Sequence, residues 1–239
     1  MNIALIGYGK MGKTIEAMAE KRGHKIKTII DPPNGKTFNP ESLNDIDVAI
    51  EFTRPEAAPK NILHCIEAGV PIVSGTTGWL NHIPVIKATL EQYPKSALFY
   101  ASNFSLGVNV FFELNRKLAD LMNSLEQYNV QIEEIHHTQK LDAPSGTAIT
   151  LAEGIIEHVD RKSNWINEPS NLNDSLEIIS KRVNKVPGTH SIKYSSEVDD
   201  IEIIHTAHSR TGFALGAIIA AEWTIGKTGF LSMQEMLNL

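Results

Sequence analysis

Three features of the 239-residue chain predict an α/β protein in which an N-terminal parallel sheet is followed by a smaller α+β domain. Short apolar runs alternate with helical stretches up to residue 100, a glycine-rich turn separates the first run from the first helical stretch, and beyond residue 104 the strands lengthen and alternate polar with apolar residues. Hydrophobic residues make up 42% and charged residues 21%, a globular balance far from that of a disordered chain. The net charge of −6 disfavours a nucleic-acid partner, because phosphate binding requires a basic surface.

Residues 2–6 form an apolar run that stops at Gly7, and residues 11–21 place Ile15, Met18 and Ala19 on one helical face. A β-branched run over 26–30 closes at Asp31-Pro32-Pro33-Asn34-Gly35, whose turn residues stop a strand. The first 31 residues therefore make one βαβ unit. The alternation repeats with strands at 48–52, 71–74 and 97–100 and helices at about 56–68 and 82–92, the pattern of a parallel sheet covered on both faces. A long helix is expected over about 108–125 and a strand over 130–136. Residues 160–175 are polar, and strands near 190–196 and 201–208 alternate in the manner of a half-exposed antiparallel sheet. The apolar stretch 213–223 and the tail to Leu239 read as helical and are expected to rejoin the first domain. The predicted domains are 1–103 with 213–239, and 104–212.

The one cysteine, Cys65, cannot form an intramolecular disulfide, and its neighbours Ile62, Leu63 and Ile66 mark it as core rather than nucleophile. No apolar run approaches the ~20 residues of a membrane span, and no charged leader precedes the first strand. A cytoplasmic protein with no membrane partner is the expectation.

Gly7-Tyr8-Gly9-Lys10-Met11-Gly12 has the G-x-G-x-x-G form, a weak pattern made strong by its setting. It follows a strand, opens a helix, and precedes Asp31 by close to the roughly 20 residues of a Rossmann-type dinucleotide fingerprint. Gly7 permits the tight turn, Gly9 lets the backbone approach a pyrophosphate, and Gly12 lets helix and strand pack closely. The pyrophosphate then meets a helix N-terminus, where unpaired N–H groups favour an anion. Asp31 is placed to accept from the adenosine ribose hydroxyls and to repel a 2′-phosphate, while Lys10 and Lys13 blunt that repulsion. Both NADH and NADPH are expected to serve, with NADH modestly favoured.

Residues 133–148 read Glu-Glu-Ile-His-His-Thr-Gln-Lys-Leu-Asp-Ala-Pro-Ser-Gly-Thr-Ala, which puts two imidazoles and an ammonium at the exit of a strand, just before a turn and a helix start. Backbone N–H groups at Pro144-Ser145-Gly146-Thr147 suit a carboxylate, with the Ser and Thr hydroxyls in support. A hydride donor in one domain and a cationic, proton-donating segment in the other describe reduction of a conjugated, negatively charged small molecule.

The segment from Glu134 to Ala148 resembles the E-A-H-H-x-x-K-x-D-A-P-S-G-T-A signature of the 4-hydroxy-tetrahydrodipicolinate reductase (dihydrodipicolinate reductase) family. Further matches run in family order: the glycine loop, Glu51-Phe52-Thr53-Arg54-Pro55, Gly75-Thr76-Thr77-Gly78, the segment from Ala101 to Asn109, and Val186-Pro187-Gly188-Thr189. The resemblance implies NAD(P)H-dependent reduction of a small dicarboxylate, with hydride added at ring C4 and a proton at the adjacent carbon. It implies that His136 is the general acid, an imidazole being able to give and regain a proton near neutral pH. His137, Lys140, Gly146 and Thr147 would bind the substrate carboxylates, supported by Ser145, with Lys140 also part of the catalytic set. Phe52, Thr53, Gly75, Thr76, Thr77, Asn103 and Phe104 fall on the cofactor side, with Gly75, Thr77, Asn103 and Phe104 at the nicotinamide. Arg210 reads either as a solvated charge or, by the resemblance, as a hinge residue near the cofactor.

The chain departs from the family at two places. Glu51 stands where D-F-T-x-P has its aspartate, and the connection between Tyr194 and Ile201 is shorter than in many members, which carry a G-E-H motif and an added strand there. That strand belongs to the sheet through which the family forms tetramers. A homo-oligomer is expected, tetramer ahead of dimer, because the last two strands keep apolar alternation on one face.

No metal centre is expected, since His205 and His208, three apart on a strand, point to opposite faces, as do the adjacent His136 and His137. Two other classes share the βαβ start: a different nicotinamide-dependent dehydrogenase of small amino acids, and a non-enzymatic dinucleotide-binding redox sensor. The 133–148 segment weighs against both, because a sensor has no need of paired histidines and a lysine beside an anion-binding helix start.

Overall fold

A computed structural model describes residues 1–169, 172–209 and 211–239, and in it the chain divides into two units, Met1–Leu106 with Thr211–Leu239, and Gly107–Arg210. The chain begins with β1 (Asn2–Ile6), α1 (Lys10–Lys21), β2 (Lys25–Ile30), β3 (Val48–Glu51), α2 (Ala58–Glu67), β4 (Ile72–Ser74), α3 (Ile83–Gln92) and β5 (Ala97–Tyr100). Next come α4 (Leu106–Asn123), β6 (Asn129–His136), α5 (Gly146–Ile156), β7 (Asn164–Ile166), β8 (Ser175–Arg182), β9 (Gly188–Ser195) and β10 (Asp200–Ala207). It closes with α6 (Thr211–Thr224), β11 (Gly229–Leu231) and α7 (Met233–Leu237).

Six strands of the first unit form one sheet in the order β11-β5-β4-β3-β1-β2, with every pairing parallel. Because alternate residues of a strand face opposite ways, Ile3, Leu5, Val48, Ile50 and Phe99 pack with Ile15 and Ala19 of α1 and Ala217 and Ile218 of α6. The intervening Ala4, Ile6, Ala49, Ile72 and Leu98 pack with Ile62 and Ile66 of α2 and Ile86 and Leu90 of α3. Covering both faces is what makes these strands continuous apolar runs. Cys65 lies fully inside the α2 layer, where burial pushes its thiol pKa up, as a core thiol requires. The tail is not wholly helical as expected: β11 adds a sixth strand beside β5, and three residues are too few to reveal a strand period in sequence. Among the described residues, no helix is long and apolar enough to cross a membrane.

The second unit holds a five-stranded sheet in the order β10-β9-β6-β8-β7. It is mixed rather than antiparallel: β6 pairs antiparallel with β9 but parallel with β8, and β7 with β8 is parallel too. Parallel neighbours need a crossover, and α5, between β6 and β8, supplies it. The sequence reading placed no strand over β7 or β8, because β8 reads Ser-Leu-Glu-Ile-Ile-Ser-Lys-Arg and offers only Leu176 and Ile178 as an inward apolar alternation. These two join Val130, Ile132, Ile192 and Tyr194 beneath Phe111 and Met122 of α4 and Leu151 and Ile155 of α5. Followed two residues further along each strand, the same face turns polar: Glu134 and His136 on β6, Ser180 and Arg182 on β8, and His190 on β9. The core face of the sheet thus runs directly into the site.

This register predicts that Ile178→Ala, at a fully buried position, costs about 2–5 kcal/mol, whereas Ile179→Ala, on the opposite half-buried face, costs less than about 1.5 kcal/mol. Urea denaturation midpoints of the two variants check it; equal losses would show that β8 is not so oriented.

Candidate active site

In the first unit β1 ends at Gly7, whose φ of +92° suits glycine, and the turn is so tight that a Cβ there would run into the Phe52 carbonyl. A Cβ on Gly12 would likewise strike the Gly7 carbonyl, so α1 sits directly against the strand exit. Gly9 is the N-cap of α1 and makes no side-chain cap, and the space over its Cα is open. A cavity of about 670 Å³ lies here, lined by Gly7, Tyr8, Gly9, Asp31, Pro32, Pro33, Phe52, Thr53, Arg54, Glu56, Ala57 and Asn61. Open backbone at a helix start, a carboxylate after the second strand and an aromatic ring between them fit a dinucleotide.

Asp31 is nearly buried and does two things: it lines the cavity and accepts a hydrogen bond from the Asn34 side chain. Its backbone pairs with Lys36, the Asp31 N–H donating to the Lys36 carbonyl at 2.7 Å. That bridge brings Lys36 back beside Tyr8, with its Nζ 5.6 Å from the Tyr8 ring centroid, while Lys13 Nζ approaches the same ring at 5.8 Å. Sequence reasoning named Lys13 but missed Lys36, which the Pro-Pro turn carries round. Lys10 is exposed at the first position of α1, and Met11 packs on the α1 core layer.

A buried carboxylate organises the turns after β3 and β4. Glu51 has no solvent exposure and accepts hydrogen bonds from Ser74 Oγ (2.6 Å), Thr76 Oγ1 (2.8 Å), the Thr53 N–H (3.0 Å) and the Thr53 hydroxyl. Burial raises its pKa despite these donors, none of which carries charge. Thr76 also accepts from the Thr53 N–H, so Thr53 and Thr76 are locked together. The Phe52 ring lies tilted against Phe104 with centroids 5.6 Å apart, and Gly75 lies so close to the Phe52 ring that a Cβ there would overlap it. Thr77 is exposed beside them, and Asn103 Oδ1 accepts from the Ser105 N–H at 2.9 Å. Phe52, Thr53, Gly75, Thr76 and Phe104 therefore come together, while Arg210 lies outside the described residues.

The second unit's site is built on Glu134, which is fully buried at the polar end of β6. His136 Nδ1 lies 3.1 Å from Glu134 Oε2, and Arg182 donates to Oε1 at 3.1 Å. Ser180 Oγ donates to Oε1 at 2.8 Å, and the Ser145 N–H reaches both oxygens at 3.2 Å. Burial works against the charge, but the hydrogen bonds from His136, Ser145, Ser180 and Arg182 outweigh it and hold the carboxyl well below the usual carboxylate range. His190 stands opposite Glu134 in the β6–β9 register, edge-on to His136 with ring centroids 5.0 Å apart. Burial first, and then His136, push its pKa down to about 4, so it is neutral at pH 7. Gly188, at the start of β9, leaves room for the His136 ring: a Cβ there would come within 3.0 Å of Nε2.

Ser145 is the N-cap of α5, its hydroxyl accepting from the Ala148 N–H at 3.2 Å and lying 3.2 Å from His190 Nε2. Its polar groups thus face inward and build the site, leaving the amides of Gly146 and Thr147 at the first turn for an outside anion. His137 follows the end of β6, and the Lys140 ammonium grips both Asp142 oxygens at 2.9 and 2.7 Å. Asp142 braces the turn, and its carbonyl also accepts from Arg182. Sequence reasoning missed Ser180, Arg182 and His190; the i, i+2 spacing of Glu134 and His136 on a strand was the available signal that a carboxylate and an imidazole share a face. Among the described residues, Glu134, His136 and His190 form one group able to present three metal-ligand atoms within 4.8 Å. The guanidinium and the amide already on Glu134 oppose a cation there, and make the carboxylate a partner for protons instead.

Residues 1–104 match the family model for the dihydrodipicolinate reductase N-terminus, and residues 107–237 match that for its C-terminus. The 4-hydroxy-tetrahydrodipicolinate reductase of Christiangramia forsetii is 52% identical over 240 residues, spanning 100% of this chain and 98% of its own length. That of Methanopyrus kandleri is 36% identical over 87% of this chain and 76% of its own. The solved structure of dipicolinate-bound dihydrodipicolinate reductase from Paenisporosarcina sp. TG-14 superposes with a TM-score of 0.77 at 25% identity, covering 99% of both chains. With both halves matched and a relative above half identity along its whole length, the chain belongs to the 4-hydroxy-tetrahydrodipicolinate (dihydrodipicolinate) reductase family.

Proposed function

We propose that the chain catalyses the NAD(P)H-dependent reduction of 4-hydroxy-tetrahydrodipicolinate to tetrahydrodipicolinate, the reductase step of lysine and diaminopimelate biosynthesis. The observation that carries this reading is the convergence, at the end of β6, of a carboxylate-held imidazole with an ammonium and a helix start suited to anions. The Paenisporosarcina relative binds dipicolinate, a ring dicarboxylate, and Lys140 with the Gly146 and Thr147 amides suits the same ligand class here. His137 and Ser145 support that end of the site. When bound, NADH or NADPH supplies a hydride to ring C4 of the substrate after loss of water. His136 delivers the matching proton to the adjacent carbon: its N–H bond breaks, a C–H bond forms, and the imidazole is reloaded from solvent. Lys140 exchanges Asp142 for a substrate carboxylate, a swap of one charged partner for another. On the cofactor side, the loop from Gly7 to Gly12, with Lys10 and Met11, serves the phosphates, Asp31 the ribose, and Gly75, Thr77, Asn103 and Phe104 the nicotinamide, with Phe52, Thr53 and Thr76 beside them. A homo-oligomer, tetramer ahead of dimer, is supported by the edge strand β10, whose outer backbone has no strand partner within the sheet and whose Ile204 is 58% exposed.

His136→Ala is expected to keep dinucleotide affinity and lower kcat by ~10²–10⁴-fold, the usual worth of a positioned general acid, while Lys140→Met raises the substrate KM more than it lowers kcat. Steady-state kinetics with the condensation product of pyruvate and aspartate semialdehyde checks both. Unchanged kcat in a folded His136→Ala protein would remove His136 from the chemistry.

Cofactor choice follows from the pocket wall. Asp31 opposes a 2′-phosphate, and Lys13 and Lys36 beside Tyr8 favour it; an exposed charge pair near 4 Å is worth only ~1 kcal/mol in water. Both cofactors are therefore expected to work, NADH a few-fold better by kcat/KM at fixed ionic strength, with Asp31→Ser shifting the ratio toward NADPH and Lys36→Ala away from it. A strong wild-type preference for NADPH would overturn this account of Asp31.

Stability should fall on acidification. Unfolded His190 takes a proton as pH drops through 6.5, whereas the folded residue resists until about pH 4. The unfolded state binds more protons in that window, so stability is complete above pH 6.5 and declines toward pH 4, by about 3 kcal/mol. Urea midpoints between pH 7 and pH 4 should slope less in His190→Gln than in the wild type, and parallel slopes would contradict the assignment.

A further inference from the structure

We propose that Glu134 is the positioning residue for the proton transfer: its buried carboxylate holds His136 by Nδ1, which leaves Nε2 to deliver the proton, and the same carboxylate ties the helix start that receives the substrate to that acid. This rests on the reading of His136 as the acid.

The geometry gives each Glu134 oxygen a task. Oε2 faces His136 Nδ1 at 3.1 Å, while Oε1 takes Arg182 at 3.1 Å and Ser180 at 2.8 Å. The Ser145 N–H spans both at 3.2 Å. A carboxylate so surrounded cannot rotate away from the imidazole without breaking bonds to β8 and to the start of α5. An imidazole whose Nδ1 sits 3.1 Å from a buried carboxylate oxygen is drawn toward the tautomer that carries its proton on that nitrogen. In the transfer the Nε2–H bond breaks, the bond to the substrate carbon forms, and the Nδ1 proton stays where it was; reloading adds one proton to Nε2. His190 cannot replace Glu134: it stands 3.8 Å from Oε2 and its own Nε2 is at Ser145. The Ser145 amide on the same carboxylate sets where the Gly146 and Thr147 amides begin, so the acid and the anion-binding turn move as one piece.

Other charged or titratable groups around His136 are Arg182 from β8, His190 from β9, His205 from β10 and, on its own connection to α5, His137, Lys140 and Asp142. Removing Glu134's charge leaves the Arg182 and Lys140 cations against the single Asp142 carboxylate among them.

The test compares Glu134→Gln and Glu134→Asp with the wild type over pH. Glu134→Gln should lower kcat by about 10²-fold, the low end of what a positioned acid supplies, and move the falling limb of the kcat–pH profile to lower pH, the direction expected when an anion beside the acid is removed. NADH affinity by fluorescence should be unchanged, and Glu134→Asp should keep the limb near its wild-type position. A Glu134→Gln enzyme that loses thermal stability but keeps the wild-type limb and kcat would overturn the proposal and reduce Glu134 to scaffolding. If His136→Ala is impaired in the same assay, the reading of the acid survives that failure. Should neither Glu134 variant fold, ¹⁵N-histidine NMR of the wild-type protein decides: neutral His136 must carry its proton on Nδ1, and a proton on Nε2 refutes the inference.

Discussion

A carboxylate with no solvent exposure must be met by donors on every side, and the second unit is arranged so that Glu134 is. The requirement explains features that look unrelated along the chain. Parallel pairing of β8 with β6 puts Ser180 opposite Glu134 and Arg182 opposite His136. Antiparallel pairing with β9 puts His190 on the other side, and the turn into α5 folds back until the Ser145 amide reaches both oxygens. Strand order, register and the helix start are all read out at one carboxyl group.

The first unit has its own buried carboxylate, and the contrast is instructive. Glu51 is as deeply buried as Glu134 but meets three hydroxyls and one amide, all neutral, and burial raises its pKa; Glu134 meets a guanidinium and an imidazole, and its pKa is lowered. Charged partners are roughly twice as effective as neutral ones in hydrogen bonding, and desolvation weighs more heavily on Glu51, so the two carboxyls shift in opposite directions. The two groups accordingly suit different work. Glu51 fastens the Thr53 and Thr76 turns that flank Phe52, whereas Glu134 stays ionised beside the His136 imidazole.

Much of the first unit is legible in sequence because its logic is local. Gly7, Gly9, Gly12 and Asp31 sit within one βαβ unit, where spacing along the chain is spacing in the fold. His136 and Lys140 are legible for the same reason, lying four residues apart across one turn. The partners of Glu134 are not: Ser180 and Arg182 stand 46 and 48 residues away and arrive by cross-strand register, on a strand whose polar residues hide its alternation. Lys36 escapes by a subtler route, since nothing in Pro-Pro-Asn-Gly announces that the chain doubles back to pair with Asp31. Polar strands at functional sites break the hydrophobic pattern that would reveal them.

The closing segment of the chain has a bearing on synthesis. The α1-side core layer is completed by Ala217, Ile218 and their neighbours on α6, and the sheet gains its outer strand from β11, both made after the second unit. A nascent first unit emerging from the ribosome would therefore show a bare apolar sheet face and an unpaired β5 edge for as long as the intervening hundred-odd residues take to be translated, at ~5–20 residues per second. The second unit, contiguous in sequence from Gly107 to Arg210, has no such wait. Vectorial synthesis thus favours the second unit condensing first, with the parallel sheet of the first unit closing last around a helix that the chain delivers only near its end.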